Sequence, residues 1–250
     1  LIEVYCEDCH KGVQEVEDKS VQMILIDPPY GTTPYEWDNI LDFKFLWEQY
    51  KRILKDNGVV IIFGQEPFSS FVRLSNLEWY KYDWYWQKER LTNVMQVEKR
   101  PGKVIETISV FYNNRCKYFP QKTKHNGRLV SNKIKDGGFS VSITGRDSRV
   151  KPIEYNDDGT RYPIQLLNFN RDNMRGLLHP TQKPFELIKY LIETYTEKND
   201  LVVDHCVGSG TTGIACKELD RRFKGWENDI SMFEIAKQRI ENHVFNKKLF

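Results

Sequence analysis

At 250 residues, 40% hydrophobic and 13% aromatic, the chain is sized for one packed domain carrying an insertion, not for two independent domains. Its five cysteines are an odd and scattered set, which argues against a disulfide framework, and no apolar run nears the ~20 residues of a membrane span. The net charge of +2 would not by itself indicate a polyanionic partner, but residues 81–135 hold thirteen Lys or Arg against four Asp or Glu, so the remainder is net acidic.

In chain order, Ile2–Cys6 reads as a strand and the N-terminus carries no secretory signal, which points to the cytoplasm. Cys6-Glu7-Asp8-Cys9-His10 has the spacing of covalent haem attachment, but that chemistry follows export, and a zinc site would need a second pair. No metal is therefore expected. The apolar run Val21–Ile26 is a second strand, and it ends in Asp27-Pro28-Pro29-Tyr30. A carboxylate, a rigid carbonyl and an aromatic ring within four residues suit chemistry on a planar, amino-bearing ring. The prolines hold φ near −65° and offer no competing donor. A strand-end turn with a packing tyrosine is the plainer reading of the same four residues.

Helices are predicted at Phe43–Leu54 and Pro67–Ser75, and strands at Val59–Phe63, Tyr82–Trp86 and Ile105–Tyr112. Residues 113–176 break this alternation with Asn113-Asn114, Gly127, Gly137-Gly138, Gly145 and Gly159, and so long an irregular stretch is functional or disordered. The basic residues of 81–135 are interleaved with Tyr112, Tyr118 and Phe119, a pattern suited to phosphate contact. His179-Pro180-Thr181-Gln182-Lys183-Pro184 then leads into a helix at Phe185–Tyr195.

Leu201–Asp204 is a strand followed by Gly208-Ser209-Gly210-Thr211-Thr212-Gly213, a helix at Thr211–Leu219 and a strand at Phe223–Glu227. Strand, glycine turn and helix bring backbone N–H groups close to a cofactor, and an acid closing the next strand holds ribose hydroxyls. Taken alone, this half fits a nicotinamide or flavin enzyme as well as a methyl-donor site. A last helix is predicted at Met232–His243.

Taken together, Asp27-Pro28-Pro29-Tyr30, the His179–Pro184 segment and Gly208-Ser209-Gly210-Thr211-Thr212, in that order, resemble the DNA amino-methyltransferases that use S-adenosylmethionine. The likeness is to the β class, in which the catalytic motif precedes the cofactor loop. Trp86-Gln87-Lys88 and Glu106-Thr107-Ile108-Ser109-Val110-Phe111 look like the family's later strands. Two positions depart from the pattern: His205 stands where Pro is common, and Cys206 where Phe is.

The resemblance implies an α/β, Rossmann-like methyltransferase fold, a mostly parallel sheet with helices on both faces. It implies a catalytic half at 1–112, an inserted target recognition region at 113–176 and a cofactor-binding half at 177–250. Asp27, Pro28, Pro29 and Tyr30 would be catalytic. S-adenosylmethionine would lie over Gly208, Ser209, Gly210 and Thr211, beside Asp204, with Glu227 on its ribose, Asp8 near its adenine, and Thr181 and Lys183 at its methionine carboxylate.

Double-stranded DNA is the implied substrate, its target base flipped from the stack, with Arg128, Arg146, Arg149, Arg161 and Arg171 as candidate guanine contacts. A homodimer and a companion restriction endonuclease are partners the resemblance allows. An Asp at position 27 leans toward adenine N6 over cytosine N4. An inactive DNA-binding subunit and a nicotinamide oxidoreductase are the competing readings. The first leaves the intact quartet at 27–30 without a use, and the second leaves both the quartet and the basic stretch unexplained.

Overall fold

The computed structural model describes residues 1–33, 38–124, 159–170 and 182–243. The chain forms two compact units, Leu1–Phe119 with Ile164–Phe250, and Pro120–Pro163. In the smaller unit β6 (Thr123–Lys124) pairs antiparallel with β7 (Thr160–Arg161), and the Lys122 ammonium lies 4.6 Å from the centre of the Tyr162 ring.

The larger unit is built on an eight-stranded sheet. Its strands are β1 (Ile2–Cys6), β2 (Val21–Ile26), β3 (Leu54–Gly64), β4 (Tyr80–Gln87), β5 (Ile105–Phe111), β8 (Leu166–Asn168), β9 (Leu201–Asp204) and β10 (Arg222–Glu227). They are ordered β1-β10-β9-β2-β3-β5-β4-β8. All neighbours are parallel except at β3–β5 and β5–β4. The Rossmann-like fold, with its mostly parallel sheet, is the one expected.

Alternation along β2 explains why all six of its residues are buried. Met23 and Leu25 face one core with α4 (Phe185–Tyr195) and α5 (Thr211–Glu218), through Leu187, Ile188, Leu191, Ala215 and Cys216. Ile24 and Ile26 face the other with α2 (Phe43–Ile53) and α3 (Phe68–Ser75), through Leu46, Tyr50, Ile53, Phe68 and Val72. The apolar positions of α2 fall at i, i+3, i+4 and i+7, and Asp42 caps it by accepting from the Phe45 amide at 3.1 Å.

Some bounds differ from expectation for local reasons. The last helix, α6 (Ile230–Asn242), starts two residues early because Asp229 caps it, accepting from the Ser231 and Met232 amides. β3 begins at Leu54, which pairs with Val21 before the register shifts, so the polar Lys55-Asp56-Asn57 is carried inside the strand. The short helix α1 (Cys9–Gly12), capped by Asp8, was not anticipated, and neither was β8. Of the residues 113–176, 113–119 and 164–176 fall in the larger unit and Pro120–Pro163 forms the smaller one. No described helix is long and apolar enough to cross a membrane.

Candidate active site

β2 and β9 are neighbours at the centre of the sheet, with Ile24 opposite Val203. From β2 the chain crosses to β3 on one side, and from β9 to β10 on the other. A crevice opens where strand order reverses, at the carboxyl ends of these two strands. Asp27 leaves β2 there, and the glycine turn leaves β9 there.

Asp27 belongs to a buried network of alternating charge. Its Oδ2 meets Lys183 Nζ at 2.5 Å, and its Oδ1 accepts from the Tyr30 hydroxyl at 2.7 Å. Lys183 also meets Glu106 Oε1 at 3.0 Å, Tyr30 donates to the same oxygen at 3.1 Å, and Lys88 Nζ meets Glu106 Oε2 at 2.5 Å. Two carboxylates and two ammonium groups cancel, which is what permits so many ionised groups inside a fold. Side-chain exposure is 4% for Glu106, 7% for Lys88 and 10% for Lys183, against 27% for Asp27, so Asp27 is the member an outside molecule can reach.

Burial, opposed by Lys183 and reinforced by the Glu106 charge, raises the Asp27 carboxyl above its ordinary range. Glu106, which burial would also raise, is held low by Lys183 and Lys88. Burial and the two carboxylates push the Tyr30 phenol well up, so it keeps its proton and stays a donor.

The loop after Tyr30 is fixed by one side chain. Asp38 Oδ1 accepts from the Tyr30 and Gly31 amides at 2.8 and 2.9 Å. Its Oδ2 accepts from the Thr32 and Thr33 amides at 2.8 and 2.6 Å and from the Thr33 hydroxyl at 2.8 Å. Burial works against this carboxylate, but the Thr33 hydroxyl and the loop amides outweigh it and hold Asp38 below its usual range. The Tyr30 ring stacks on Phe68, centroids 5.0 Å apart and planes 23° apart, so α3 backs one ring face. Pro28 is buried and Pro29 half-buried.

On the other side of the crevice, Asp204 builds the turn from beneath. Its carboxylate accepts from the Cys206 amide at 2.9 Å and the Thr212 hydroxyl at 2.7 Å, and burial raises it to about 7. Gly210 has φ 83°, and a Cβ there would lie 3.1 Å from the Ala236 backbone of α6, so only glycine fits. Glu227 accepts from the Gly208 amide at 2.8 Å and the Asp229 amide at 3.0 Å, tying the end of β10 to the turn. Ser209 donates to Gln182 at 3.2 Å, and its hydroxyl lies 3.5 Å from that of Thr211. A Cβ on Gly208 would meet nothing nearer than the Cys206 carbonyl at 4.0 Å, so the turn is open on that side.

Asp27, Pro28, Pro29 and Tyr30 thus follow β2, and Asp204, Gly208, Ser209, Gly210 and Thr211 close β9 and follow it, at the same edge of the sheet, with Glu227 tied to the second turn. The resemblance put Lys183 at a methionine carboxylate; the structure brings its ammonium to Asp27 and Glu106, because two buried carboxylates there need a cation. Thr181 lies outside the described residues, as do Arg128, Arg146, Arg149 and Arg171. Asp8 caps α1 through the His10 amide at 2.8 Å, beside the end of β10, where the Glu7 amide donates to the Glu227 carbonyl at 3.1 Å.

Asp8, Cys9 and His10 gather their ligand atoms within 4.8 Å of one another, but burial, with Asp8 adding to it, pushes the Cys9 thiol up to about 12, which disfavours the thiolate a metal takes. His205, one of the two departures, is buried with Tyr50, and burial lowers it to about 4, so it is neutral.

Glu106, Lys88 and Asp38 were not singled out from sequence. The first two depend on the register of β4 and β5: Trp86 is opposite Glu106, and Lys88, just past the end of β4, reaches Glu106 diagonally.

A family model described as DNA methylase, of the N6/N4 methyltransferases, matches residues 21–238. The type II methyltransferase M.HpaI of Haemophilus parainfluenzae is 27% identical over 261 residues, covering 95% of this chain and 73% of its own. M2.MboI of Moraxella bovis is 26% identical over 262 residues, covering 94% and 86%. Among solved structures, the M1.HpyAVI–SAM complex superposes with a TM-score of 0.64 at 24% identity, covering 96% of this chain and all of its own. The cytosine-N4-specific PvuII DNA methyltransferase gives 0.65 at 18%, covering 98% and 87%. With the match running from β2 into α6 and so taking in both sides of the crevice, this chain belongs to the DNA methylase family of N6/N4 methyltransferases.

Proposed function

We propose that the protein transfers a methyl group from S-adenosylmethionine to the N6 amine of adenine in a specific sequence of double-stranded DNA, after the base has turned out of the helix. One observation carries this reading: Asp27 and the Gly208 turn stand on adjacent central strands at one mouth of the sheet. A ring amine held by the first and a methyl donor held by the second would meet in line. Family membership and the relatives' names as type II methyltransferases support it.

When bound, S-adenosylmethionine supplies an electrophilic sulfonium methyl. The open side of Gly208 gives such a cofactor room, and the carboxylate of Glu227 faces the same turn, where ribose hydroxyls would find an acceptor. Asp27 and the Pro28 carbonyl accept from the two hydrogens of the target amine. A conjugated amine is a poor nucleophile, and acceptors aimed at its hydrogens stabilise the positive charge it gains as the new N–C bond forms. The carboxylate has lone pairs beyond those used by Tyr30 and Lys183. Tyr30, backed by Phe68 on one face, offers the other to the base. Target reading falls to the inserted region, in which Arg161 is the described candidate.

The test is to incubate the protein with methyl-labelled S-adenosylmethionine and unmethylated duplex DNA, then digest and identify the labelled nucleoside. N6-methyladenine is expected. N4-methylcytosine would overturn the base, and no label in DNA of varied sequence would overturn the activity.

Two substitutions probe separate parts. Tyr30→Phe removes one donor to Asp27 and should slow transfer about 5- to 10-fold, the worth of a hydrogen bond. Tyr30→Ala also removes the stacking ring and should cost roughly 100-fold or more. Equal losses in single-turnover kinetics would count against stacking. Glu227→Ala should weaken S-adenosylmethionine binding roughly 10- to 100-fold by calorimetry, as loss of a charged acceptor does, with DNA affinity little changed. Unchanged cofactor affinity would remove Glu227 from the cofactor site.

A further inference from the structure

Antiparallel neighbours such as β4 and β5 can be joined by two residues, yet the connection here runs from Lys88 to Val104. It is a folded arm. The Lys88 amide donates to the Val104 carbonyl at 2.7 Å and the Thr92 amide to the Lys103 carbonyl at 3.1 Å. Asn93 clamps the limbs, accepting from the Lys103 amide at 2.6 Å and donating to the Pro101 carbonyl at 3.1 Å. Gly102 packs against the Leu91 side chain. A 3-10 turn, Val94–Gln96, forms the tip, and the Gln96 carbonyl accepts from the Lys99 and Arg100 amides at 3.0 Å each.

The tip is apolar and uncovered. Met95 is 99% exposed and Val94 63%, with Leu91 and Val97 exposed behind them. Single exposed apolar side chains are ordinary, but four on one projection mark a contact. Arg90, Lys99 and Arg100 stand exposed on the same arm, as do Glu89 and Glu98, and with Lys103 half-buried the arm remains net positive, so its partner combines negative charge with an apolar surface. The arm rises from the carboxyl ends of the strands, on the side of Asp27: its root is the Lys88–Glu106 pair, and Lys183 joins Glu106 to Asp27. A duplex fits this description. Its backbone meets the cations, and its broadest apolar surfaces are the base faces, uncovered where a nucleotide has left the stack.

We propose that the Lys88–Val104 arm enters the duplex at the target and that Met95 fills the space vacated by the flipped base. Apolar wedges between base steps are a known means of holding DNA unstacked, and the unbranched thioether of Met adapts to an irregular gap. The role rests on the reading that the substrate is a base extruded from duplex DNA.

The test uses the full chain and a duplex containing the site the protein methylates, found by sequencing DNA exposed to it. Met95→Ala and Met95→Leu are compared with wild type on this duplex and on one whose target base is already unpaired by a mismatch. A wedge matters when the base must be driven out. Met95→Ala should therefore slow single-turnover transfer on the paired duplex by roughly 10- to 100-fold, the size of a lost stacking contact. On the mismatched duplex it should fall within about threefold of wild type, since an unpaired base costs least to extrude. Met95→Leu should retain most activity on both.

Equal rates for wild type and Met95→Ala on the paired duplex would overturn the proposal. So would equal losses on both duplexes, which would mean a structural defect. A change of oligomeric state by sedimentation with unchanged methylation would assign the tip to a second copy of the chain instead. Wild type methylating neither duplex would be the failure of the functional reading itself, and the wedge would fall with it.

Discussion

Asp27→Ala should lower single-turnover methyl transfer by roughly 10³-fold or more while S-adenosylmethionine still binds, because it removes an acceptor aimed at the charge that develops on the amine. The substitution leaves Lys183 paired to Glu106 and the Asp38-anchored loop untouched, but it strips one carboxylate from a buried network that holds two ammonium groups, so Tm should fall as well, and retained cofactor binding is what shows that the fold survives. Asp27→Asn keeps the shape and loses the charge. It should fall nearly as far, since an amide presents a donor where the amine's hydrogens need an acceptor. Labelled-methyl transfer measured beside cofactor calorimetry separates the two properties. A variant that turns over within tenfold of wild type would remove Asp27 from the chemistry.

Lys183→Met should strike both stability and pH dependence. The side chain joins two carboxylates, and truncating one partner of a buried ion pair costs about 3–5 kcal/mol. In a chain this long that corresponds to a fall in Tm of roughly 6–20 °C. Asp27 is already raised by burial, and Lys183 is the main force opposing that rise. Without it the carboxyl holds its proton to higher pH, so the acid limb of the pH–rate profile should move upward. The Lys183 ammonium is itself raised by Asp27 and Glu106 against the effect of burial. Its contribution to stability is therefore complete below its unfolded pKa and lost only as pH rises through the folded one. Lys183→Arg, which keeps the charge, should recover most of the Tm. A Lys183→Met protein with unchanged Tm and an unchanged acid limb would show that the ion pair does neither job.

How much could be read beforehand follows from how local each signal is. β2, β9 and α4 have the expected bounds because apolar runs and flanking polar residues mark them within a few positions. β8 is three residues long and is a strand only because β4 offers it an edge, with the Trp86 indole donating to the Phe169 carbonyl at 2.9 Å. No local pattern announces it. In the site, residues that act through backbone shape or position at a strand end were legible: Asp27, Gly208, Gly210, Glu227. Lys88 and Glu106 were not, because what makes them matter is a register between β4 and β5 that brings them to a lysine almost eighty residues further on. Asp38 acts through four amides of a loop whose fold it determines, and an Asp in a polar stretch looks like any other.

The position of β9 also governs when the molecule can fold. It is a central strand, wedged between β10 and β2, yet it comes from the last fifth of the chain. Until residues beyond 200 have left the ribosome, β2 has its partner β3 on one side and an open edge on the other. That edge is Val-Gln-Met-Ile-Leu-Ile, a flat apolar strand of the kind that pairs with strands of other chains. A polypeptide ending before Leu201 should therefore aggregate through β2. Supplied with a separate piece containing β9 to α6, it should instead recover the missing strand and remain in solution.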